Sequence, residues 1–494
     1  MGGFHSTEER DSAHHVDLEK AEESEGIAGL SRRRIAAEMC GIVGVYSENE
    51  DITSKIAFFS LYSLQHRGQE SAGISVFGDY IHIHKGMGLV NEIFDSRKLD
   101  GMKGRIAVGH VRYSTTGESR IENAQPLLVK TKQGAMAVAH NGNLVNYLSL
   151  RNALEKRGSV FVSDSDTEVI AKLMSGEMVE NDPFNSIINL SSQIKGSYTL
   201  VFAFNDILIG FRDSYGFKPL IVGKGDFGYV IASESCAIDA VGADIIRDVR
   251  PGEAVVVKDG DIEFIRIEET ENNAFCVFEY IYFARPDSVI DGVSVYDVRQ
   301  KIGRILAKES PVDADIVSSV PDSGTTSAIG FSKESGIEYL EALIKNRYVG
   351  RTFILPGQSL REMSVKIKMN AIRTNVEGKR VVLIDDSIVR GTTSRKIVDM
   401  VRGAGAREVH FRVGSPPIIS PCYFGIDMST REELIASSKT VEEIKKEINA
   451  DSLAYLSLDG LIEAVGKGRN SLCLACLTAR YPVDVSEAQK CGKC

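Results

Sequence analysis

An apolar run that ends in two acids constrains this chain more than any other stretch. Residues 381–384 are Val-Val-Leu-Ile, Asp385 and Asp386 follow, and a turn rich in Ser, Gly and Thr leads into a helical pattern from Ser394. Four β-prone apolar residues predict a buried parallel strand, and open α/β sheets bind ligands outside the carboxyl ends of such strands. The turn and the helix N-terminus offer backbone N–H groups to a phosphate. The stretch therefore predicts a sugar-phosphate site, with carboxylates for ribose hydroxyls or Mg²⁺.

Length and charge limit the number of domains and the kinds of partner. At 494 residues the chain exceeds a single hydrophobic core, so two or three domains are expected. A net charge of −10 argues against a nucleic-acid partner, which would require a basic face. No apolar run reaches the roughly 18 residues of a membrane-spanning helix, and no signal-peptide pattern is present. The sequence thus predicts a cytoplasmic protein with no membrane partner, whose eight cysteines favour catalysis or metal binding over disulfides.

In the first half, polar motifs follow a series of strand-like runs. They are the cysteine at the start of the run 39–46 and the segments 65–73, 110–117, 140–144 and 163–168. Taken singly, each has an ordinary explanation: a buried cysteine, an Asn-Gly tight turn, or a helix N-cap. Together they provide a nucleophile, two arginines, a donor pair and an acid. Attack on the amide of a substrate that also carries an α-carboxylate and an α-amino group requires that set.

These motifs resemble the glutaminase domain of the N-terminal-nucleophile amidotransferases, which implies an αββα sandwich over residues 40–270. The resemblance implies that Cys40 is the nucleophile, that its own α-amino group is the general base, and that Asn141 and the Gly142 N–H bind the oxyanion. The implied contacts to glutamine are Arg112 and Thr115 for the carboxylate, Asp166 for the ammonium group and Arg67 for the pocket wall.

Cys40 is not the first residue of this sequence, although the resemblance requires it to be. Residues 1–39 are rich in Glu, Asp, Ser and His and are expected to be a disordered leader. Either this leader is a propeptide that is removed, or translation begins at Met39 and the leader reflects the choice of start site. A targeting role for the basic residues 31–34 is a third, less favoured, interpretation.

The second half contains two further motifs that suit anions. Residues 317–326 form another strand followed by a small-residue loop, and residues 345–370 are basic and punctuated by glycine. A solvated charged loop would explain the basic segment, and two helix caps would explain Asp385 and Asp386. In an acidic protein, however, a local surplus of Lys and Arg beside two anion loops predicts a lid over a pyrophosphate.

Residues 381–393 resemble the signature of the type I phosphoribosyltransferases, whose α/β domain would here bind 5-phosphoribosyl 1-pyrophosphate. The resemblance implies that Asp385 and Asp386 bind the ribose hydroxyls and Mg²⁺. The other implied contacts are Asp322, Ser323 and Gly324 for the pyrophosphate, with Ser323 also on Mg²⁺, then Lys345, Arg347 and Lys368 for its charge, and Arg390, Gly391, Thr392 and Thr393 for the 5′-phosphate.

Residues 40–485, nearly the whole chain, resemble the glutamine phosphoribosylpyrophosphate amidotransferase family, in which ammonia from glutamine displaces pyrophosphate to give 5-phosphoribosylamine. The implied division is a leader 1–39, a glutaminase domain 40–270, a phosphoribosyltransferase domain 271–470 and a cysteine-containing segment 471–494. The resemblance also implies feedback inhibition by purine nucleotides and a homotetramer. The alternatives are an amidotransferase with another acceptor, or a non-catalytic metabolite or iron–sulfur sensor that retains the fold.

The cysteines of the second half allow two metal sites. The pairs Cys473, Cys476 and Cys491, Cys494 match a zinc ribbon. Resemblance to the iron–sulfur branch of the family instead implies a [4Fe–4S] cluster on Cys276, Cys422, Cys473 and Cys476, which is the preferred interpretation. Cys236 is expected to be a buried core residue.

Overall fold

The computed structural model describes residues 38–114, 119–269, 273–346, 369–426, 428 and 430–490. The first half of the chain contains the strands and helices up to residue 266. The strands are β1 (Glu38–Ser47), β2 (Ser71–Phe77), β3 (Ile81–Met87), β4 (Ile106–Ser114), β5 (Leu127–Thr131), β6 (Gly134–Leu144), β7 (Gly196–Phe204), β8 (Ile207–Arg212), β9 (Ile221–Gly225), β10 (Gly228–Ala232), β11 (Asp244–Asp248), β12 (Glu253–Lys258) and β13 (Asp261–Arg266). The helices are α1 (Thr53–Ser63), α2 (Val90–Ile93), α3 (Ser96–Gly101), α4 (Tyr147–Lys156), α5 (Asp166–Glu177), α6 (Pro183–Gln193) and α7 (Ser235–Asp239), with a 3₁₀ turn at Ile121–Asn123.

These strands form two sheets that pack face to face. One sheet has the order β11-β9-β10-β1-β4-β2-β3, the other β13-β12-β8-β7-β6-β5. Successive side chains of a strand point to opposite faces, and the apolar runs use both faces: Ile42 of β1 packs between the sheets, whereas Val43 packs outward against α1. Helices α5 and α6 cover the outer face of the second sheet in the same way. The predicted αββα sandwich is confirmed.

The second half is built around a parallel sheet. Its strands are β14 (Phe275–Cys276), β15 (Val289–Ile290), β16 (Val293–Ser294), β17 (Ile316–Ser319), β18 (Leu343–Lys345), β19 (Met369–Ala371), β20 (Arg380–Asp385), β21 (Glu408–Val413), β22 (Ser452–Tyr455) and β23 (Leu472–Cys473). Its helices are α8 (Val295–Glu309), α9 (Thr325–Ser335), α10 (Arg373–Val376), α11 (Thr392–Gly403), α12 (Val441–Glu447), α13 (Leu458–Val465), α14 (Ala475–Thr478) and α15 (Ser486–Lys490). Single helical turns occupy Glu279–Phe283, which is π-helical, and the 3₁₀ segments Arg431–Glu433, Ile435–Ser437 and Arg469–Ser471.

The strand predicted from residues 381–384 is β20, and it lies inside the parallel sheet β17-β20-β21-β22. It is buried on both faces: Val382 and Ile384 pack towards α8 and α9, and Val381 and Leu383 pack towards α11. A strand covered by helices on both sides needs a continuous apolar run rather than an alternating one. The prediction of a buried parallel strand is therefore confirmed.

Helices α8 and α9 approach each other closely beneath this sheet. A Cβ atom on Gly303 would lie 1.8 Å from the carbonyl oxygen of Ser327, and one on Gly330 would lie 2.1 Å from that of Gln300. Only glycine allows the two backbones to come this close. Because α9 begins at Thr325, directly after the small-residue loop, this contact also fixes the position of that loop.

Within the residue ranges given above, no helix is both long and apolar enough to cross a membrane.

Candidate functional site

Cys40 lies in β1 and is completely buried. Its Cα atom pairs with that of Arg112 in β4, so the nucleophile and the arginine predicted to bind the substrate carboxylate are neighbours across the ladder. His110 lies in β4, two residues before Arg112, and its Nε2 forms a 3.2 Å hydrogen bond with the carbonyl oxygen of His140. This bond joins the two sheets and brings the end of β6, with Asn141, against the β1–β4 pair.

His110 is too weak a base to activate the cysteine thiol. Burial, followed by the charge of Arg112, lowers the pKa of His110 to about 3. A general base works best when its pKa lies near the working pH. His110 therefore stays neutral and has a structural role in joining the sheets, so it does not compete with the α-amino group that is predicted as the base.

Asn141 and Gly142 do not form the tight turn that the Asn-Gly dipeptide predicts, and that expectation was wrong. Both residues lie inside β6, where they pair with Thr199 and Tyr198 of β7. The ladder with β7 outweighs the local turn preference. Gly142 has φ +152°, and a Cβ atom there would lie 2.1 Å from the carbonyl oxygen of Ser197, so the position requires glycine.

The Asn141 side chain is buried, and neither its amide nitrogen nor its oxygen has a hydrogen-bond partner among the residues that the structure describes. Leaving such a group unsatisfied costs about 1–3 kcal/mol. A buried donor held without a partner beside a nucleophile is what an oxyanion site requires before substrate binds. This observation supports the predicted role of Asn141.

The residues predicted to hold the two ends of glutamine are both buried. Arg112 donates a 2.8 Å hydrogen bond to Glu70, and Asp166 accepts one of 2.9 Å from the Leu144 backbone N–H. His140 Nδ1 lies 3.4 Å from Asp166. Glu70 and His140 were not predicted as site residues, although the polar segments 65–73 and 140–144 contain them. Thr115 lies outside the described residues.

Arg67 contacts the backbone of Cys40, the predicted nucleophile. Its Nε donates to the carbonyl oxygen of Cys40 at 3.0 Å, and its guanidinium binds Glu279 at 2.9 and 3.0 Å and also Glu234. All three charged groups are fully buried. Burial alone would lower the pKa of Arg67, but Glu279 and Glu234 raise it above its ordinary value. The structure thus shows Arg67 positioning the Cys40 backbone, and its role in the pocket wall stays a prediction.

In the second half, a pocket of about 590 Å³ lies next to the loop that follows β17. Its lining residues are Ser319, Pro321, Asp322, Thr325, Glu341, Leu343, Ile344, Lys345, Asn346 and Asn370. The Lys345 ammonium lies 2.5 Å from the Asp322 carboxylate. A Cβ atom on Gly324 would lie 2.3 Å from the carbonyl oxygen of Ile384, so this loop sits directly against the end of β20. Arg347 and Lys368 lie outside the described residues.

Asp385 and Asp386 lie together at the carboxyl end of β20 and are nearly buried. Burial and the neighbouring charge of Asp386 raise the pKa of Asp385 well above its ordinary value. Asp386 accepts a 2.6 Å hydrogen bond from the Ser387 hydroxyl. Two carboxyls crowded in this way repel each other unless a proton or a cation lies between them. Such a pair is suited to hold Mg²⁺ through oxygen ligands.

The two acids do not cap the following helix. The residue that precedes α11 is Gly391, with φ +74°, and no side chain caps the helix there. The helix begins at Thr392, two residues before the predicted start. Arg390 pairs with Glu433 at 2.7 Å. An uncapped helix N-terminus after a left-handed glycine leaves its first N–H groups for an anion, which supports the predicted phosphate loop.

Four cysteines from distant segments come together where the two halves meet. Cys276 and Cys473 are register partners in the parallel pair β14–β23, and the N–H groups of Ile419 and Ser420, just before Cys422, donate to the Cys476 carbonyl oxygen at 2.9 and 3.1 Å. All four thiols are free and buried. Burial raises the pKa of each of Cys276, Cys473 and Cys476, and their thiols raise one another further.

These thiols are not spaced for a single metal ion. In the described part of the chain, no three Cys, His, Asp or Glu side chains lie close enough to share one. A four-iron cluster instead binds each thiolate at a separate iron, so its ligand sulfurs lie further apart than those around zinc. Cys491 and Cys494, which the zinc ribbon would need, lie outside the described residues. Cys236 is buried, as predicted.

The fold and these sites define a class of protein: a cysteine-dependent glutaminase of the N-terminal-nucleophile type joined to a phosphoribosyltransferase. A sequence family described as a glutamine amidotransferase domain matches residues 110–240. The amidophosphoribosyltransferase of Archaeoglobus fulgidus is 61% identical over 450 residues, covering 90% of this chain and 98% of that protein. That of Methanocaldococcus jannaschii is 52% identical over 472 residues, covering 92% and 100%.

A solved structure agrees with these sequence relatives. The glutamine phosphoribosylpyrophosphate amidotransferase of Bacillus subtilis, in complex with ADP and GMP, is 48% identical, with a TM-score of 0.85 over 90% of this chain and 98% of that one. The chain belongs to the amidophosphoribosyltransferase family and is an enzyme of that family.

Proposed function

We propose that this enzyme converts glutamine, water and 5-phosphoribosyl 1-pyrophosphate into 5-phosphoribosylamine, glutamate and pyrophosphate, the first step of purine synthesis. The family assignment rests on relatives matched over nearly their whole length. One observation carries the two-step chemistry: a single chain contains both a buried cysteine beside an unsatisfied amide and a paired-acid strand end beside a phosphate loop.

In the first half-reaction, the Cys40 sulfur attacks the side-chain amide carbon of glutamine. The C–N bond breaks, ammonia leaves after taking a proton, and water then hydrolyses the glutamyl thioester to glutamate. Asn141 and the Gly142 N–H stabilise the oxyanion of each tetrahedral intermediate. Arg112 and Thr115 bind the carboxylate of glutamine, and Asp166 binds its ammonium group.

The general base in this scheme is the α-amino group of Cys40, which exists only if residues 1–39 are absent from the working enzyme. Processing of a propeptide would produce it, and so would initiation at Met39 followed by removal of that methionine. N-terminal sequencing of the purified enzyme tests this requirement, and a working enzyme that retains Met39 would contradict it.

In the second half-reaction, ammonia attacks C1 of the phosphoribosyl group and the C1–O bond to pyrophosphate breaks. Asp385 and Asp386 bind the ribose hydroxyls, and residues 390–393 bind the 5′-phosphate. Asp322, Ser323 and Gly324 hold the pyrophosphate, whose charge Lys345, Arg347 and Lys368 neutralise. Mg²⁺ bound by Ser323, Asp385 and Asp386 would supply further positive charge for the leaving group.

The four buried thiols of Cys276, Cys422, Cys473 and Cys476 fit a [4Fe–4S] cluster better than zinc. They are free, they come from three separate segments, and no three of them lie close enough to share a single ion, which supports the cluster. Such a cluster would clamp the C-terminal segment to both halves of the protein. Buried reduced thiols also favour the cytoplasm as the compartment, since thiols stay reduced there.

Two further properties come from relatives. The Bacillus subtilis structure contains ADP and GMP, and another solved relative, 48% identical with a TM-score of 0.86, is described as an allosteric regulatory enzyme of purine biosynthesis. These descriptions support feedback inhibition of this enzyme by purine nucleotides. A homotetramer remains the expected assembly, and light scattering of the purified enzyme would test it.

The activity itself is tested by incubating the purified enzyme with 5-phosphoribosyl 1-pyrophosphate and Mg²⁺ and measuring pyrophosphate release. Release should require glutamine or ammonia and should be matched by glutamate only with glutamine. A protein that binds both substrates without releasing pyrophosphate would instead be the non-catalytic sensor. Aspartate or a sugar phosphate serving as acceptor would indicate another amidotransferase.

Asn141→Ala is expected to lower the glutaminase kcat by about 10²- to 10³-fold, because one oxyanion donor is lost. The KM for glutamine should change little, since the amide acts on the transition state. Steady-state glutamate release with glutamine as substrate measures both parameters. Asn143→Ala is the matched control, since Asn143 lies on the same strand and its amide instead donates to the Tyr423 carbonyl oxygen at 2.8 Å. Equal kcat values for wild type and Asn141→Ala would remove Asn141 from the oxyanion site.

Metal analysis separates the cluster from zinc. Enzyme purified without oxygen should contain about four iron and four sulfide per chain, and Cys473→Ser should lose both. The matched control is Cys236→Ser, which alters a buried cysteine outside the group and should keep its iron. Zinc without sulfide, or iron unaffected by Cys473→Ser, would contradict the proposed ligands.

A further inference from the structure

Lys218 is a buried cation without a hydrogen-bond acceptor. Its side chain is fully buried, and Nζ has no hydrogen-bond partner among the residues that the structure describes. The carboxylate paired with it is that of Glu279, at 3.5 Å, and the Phe283 ring centroid lies 5.8 Å away. An ammonium group has three N–H donors, and burying it unsatisfied is strongly unfavourable. A ligand with several acceptor atoms would resolve this.

Glu279 lies 3.5 Å from Lys218 without forming a hydrogen bond to it, and Glu279 is shared with Arg67. Its two carboxylate oxygens accept hydrogen bonds from the Arg67 guanidinium at 2.9 and 3.0 Å. The second buried acid, Glu234, accepts from Arg67, from His66 at 2.8 Å and from the Ser288 hydroxyl at 2.7 Å. Both carboxylates therefore have other hydrogen-bond partners, and neither accepts a hydrogen bond from Lys218 Nζ.

The residue before Lys218 contacts the segments that carry two of the cysteines. The neighbouring carbonyl oxygen, that of Phe217, accepts a 3.1 Å hydrogen bond from the Cys276 N–H, and the Phe217 ring stacks on Phe424 at 4.3 Å, two residues beyond Cys422. The positive charge of Lys218 opposes the effect of burial on the pKa of Cys276, and both Cys276 and Cys422 raise the pKa of Lys218. Lys218 thus lies between the segments that carry two of the four cysteines.

We propose that Lys218 donates N–H···S hydrogen bonds to the sulfur atoms of the cluster held by Cys276, Cys422, Cys473 and Cys476, and neutralises part of its negative charge. Lys218 is then a positioning residue for the glutaminase site as well. It contacts Glu279, which binds Arg67, which holds the Cys40 carbonyl oxygen at 3.0 Å. The buried side chains of Lys218, Glu279 and Arg67 thus form a continuous chain of contacts from the proposed cluster to the backbone of Cys40. The inference rests on the cluster proposed above.

The test compares the rate of iron release to a ferrous chelator, without oxygen, for wild type, Lys218→Met and Lys218→Arg. Loss of an outer-shell partner should accelerate release by about 10- to 100-fold in Lys218→Met. Lys218→Arg keeps the charge and the donors and should remain near wild type. Lys224→Met is the matched control, since Lys224 is an exposed lysine that stacks on Tyr229 in the glutaminase sheet. Circular dichroism confirms that each variant is folded.

A double variant distinguishes the cluster from Glu279 as the true partner of Lys218. If Lys218 serves only to neutralise Glu279, then Lys218→Met with Glu279→Gln should restore slow iron release. If Lys218 bonds to the cluster, release stays fast. Wild-type release by Lys218→Met, or restoration in the double variant, overturns the proposal. If Lys218→Met does not fold, Lys218→Gln, which keeps N–H donors without the charge, should fold and release iron faster than wild type, and release at the wild-type rate would overturn the proposal. Wild-type enzyme without iron and sulfide would refute the cluster itself and, with it, this role of Lys218.

Discussion

Cys40→Ser is expected to abolish glutamine-dependent synthesis of 5-phosphoribosylamine and to leave ammonia-dependent synthesis intact. A serine hydroxyl is a much weaker nucleophile than a thiolate, and His110 is too weak a base to compensate, because burial and Arg112 hold its pKa near 3. Loss of the nucleophile should lower glutamine-dependent kcat by at least about 10⁴-fold. The measurement is pyrophosphate release with either glutamine or ammonium chloride as the nitrogen source.

Cys236→Ser is the control for this experiment, since Cys236 is also a buried cysteine of the glutaminase half but lies outside the β1–β4 pair. It should keep both activities. The ammonia arm shows whether the Cys40 variant still folds and binds the phosphoribosyl donor. If glutamine still supported synthesis in Cys40→Ser, another nucleophile would have to be sought, and the assignment of Cys40 would be withdrawn.

The parts of this protein that could be predicted from sequence are those encoded over short distances. The apolar run 381–384 predicts a strand that is buried on both faces. In the structure its residues point alternately to the face covered by α8 and α9 and to the face covered by α11. The helix N-cap at Ser165 is also predicted by neighbouring residues, because the Ser165 hydroxyl accepts a hydrogen bond from the backbone N–H of Thr167. In such places a local pattern and its tertiary setting agree.

The parts that could not be predicted depend on contacts between distant residues. Arg67 and Glu279 are 212 positions apart, and Lys218 and Glu279 meet only because the two halves pack together. A sequence pattern does not predict contacts between residues this far apart, so the functional roles of Glu234, Glu279 and Lys218 were not predicted. The error at Asn141 and Gly142 has the same origin, because β7 supplies the ladder that keeps both in a strand.

The resemblance to a family therefore contributed what the residues alone did not. Asn141 is interpretable as a turn until its buried, unpaired amide is seen beside Cys40. Arg67, assigned to the pocket wall by resemblance, contacts the backbone of Cys40 in the structure. A family motif gives the identity of a functional residue, whereas the direction in which it acts has to be read from its contacts.

Replacing both Asp385 and Asp386 with Asn is expected to abolish 5-phosphoribosylamine synthesis with glutamine and with ammonia alike. Burial and mutual repulsion make this pair an unfavourable arrangement without a bound cation or hydroxyl groups, as the raised pKa of Asp385 shows. Asn preserves the side-chain size but removes the negative charge that would hold Mg²⁺ and accept from the ribose hydroxyls. Loss of both contacts in the transition state should reduce kcat/KM for 5-phosphoribosyl 1-pyrophosphate by about 10³-fold or more.

The two activities separate this effect from general damage. Glutamate release by Cys40, measured at saturating glutamine, should fall far less than pyrophosphate release, because Asp385 and Asp386 lie at the end of β20, in a different sheet from the β1–β4 pair. Asp399→Asn on the exposed side of α11 is the control, since its carboxylate faces Arg395 at 3.7 Å rather than the strand end. Unchanged phosphoribosylamine synthesis in the double variant would mean that the strand end of β20 is not the acceptor site, and the ammonia made at Cys40 would have to be used elsewhere.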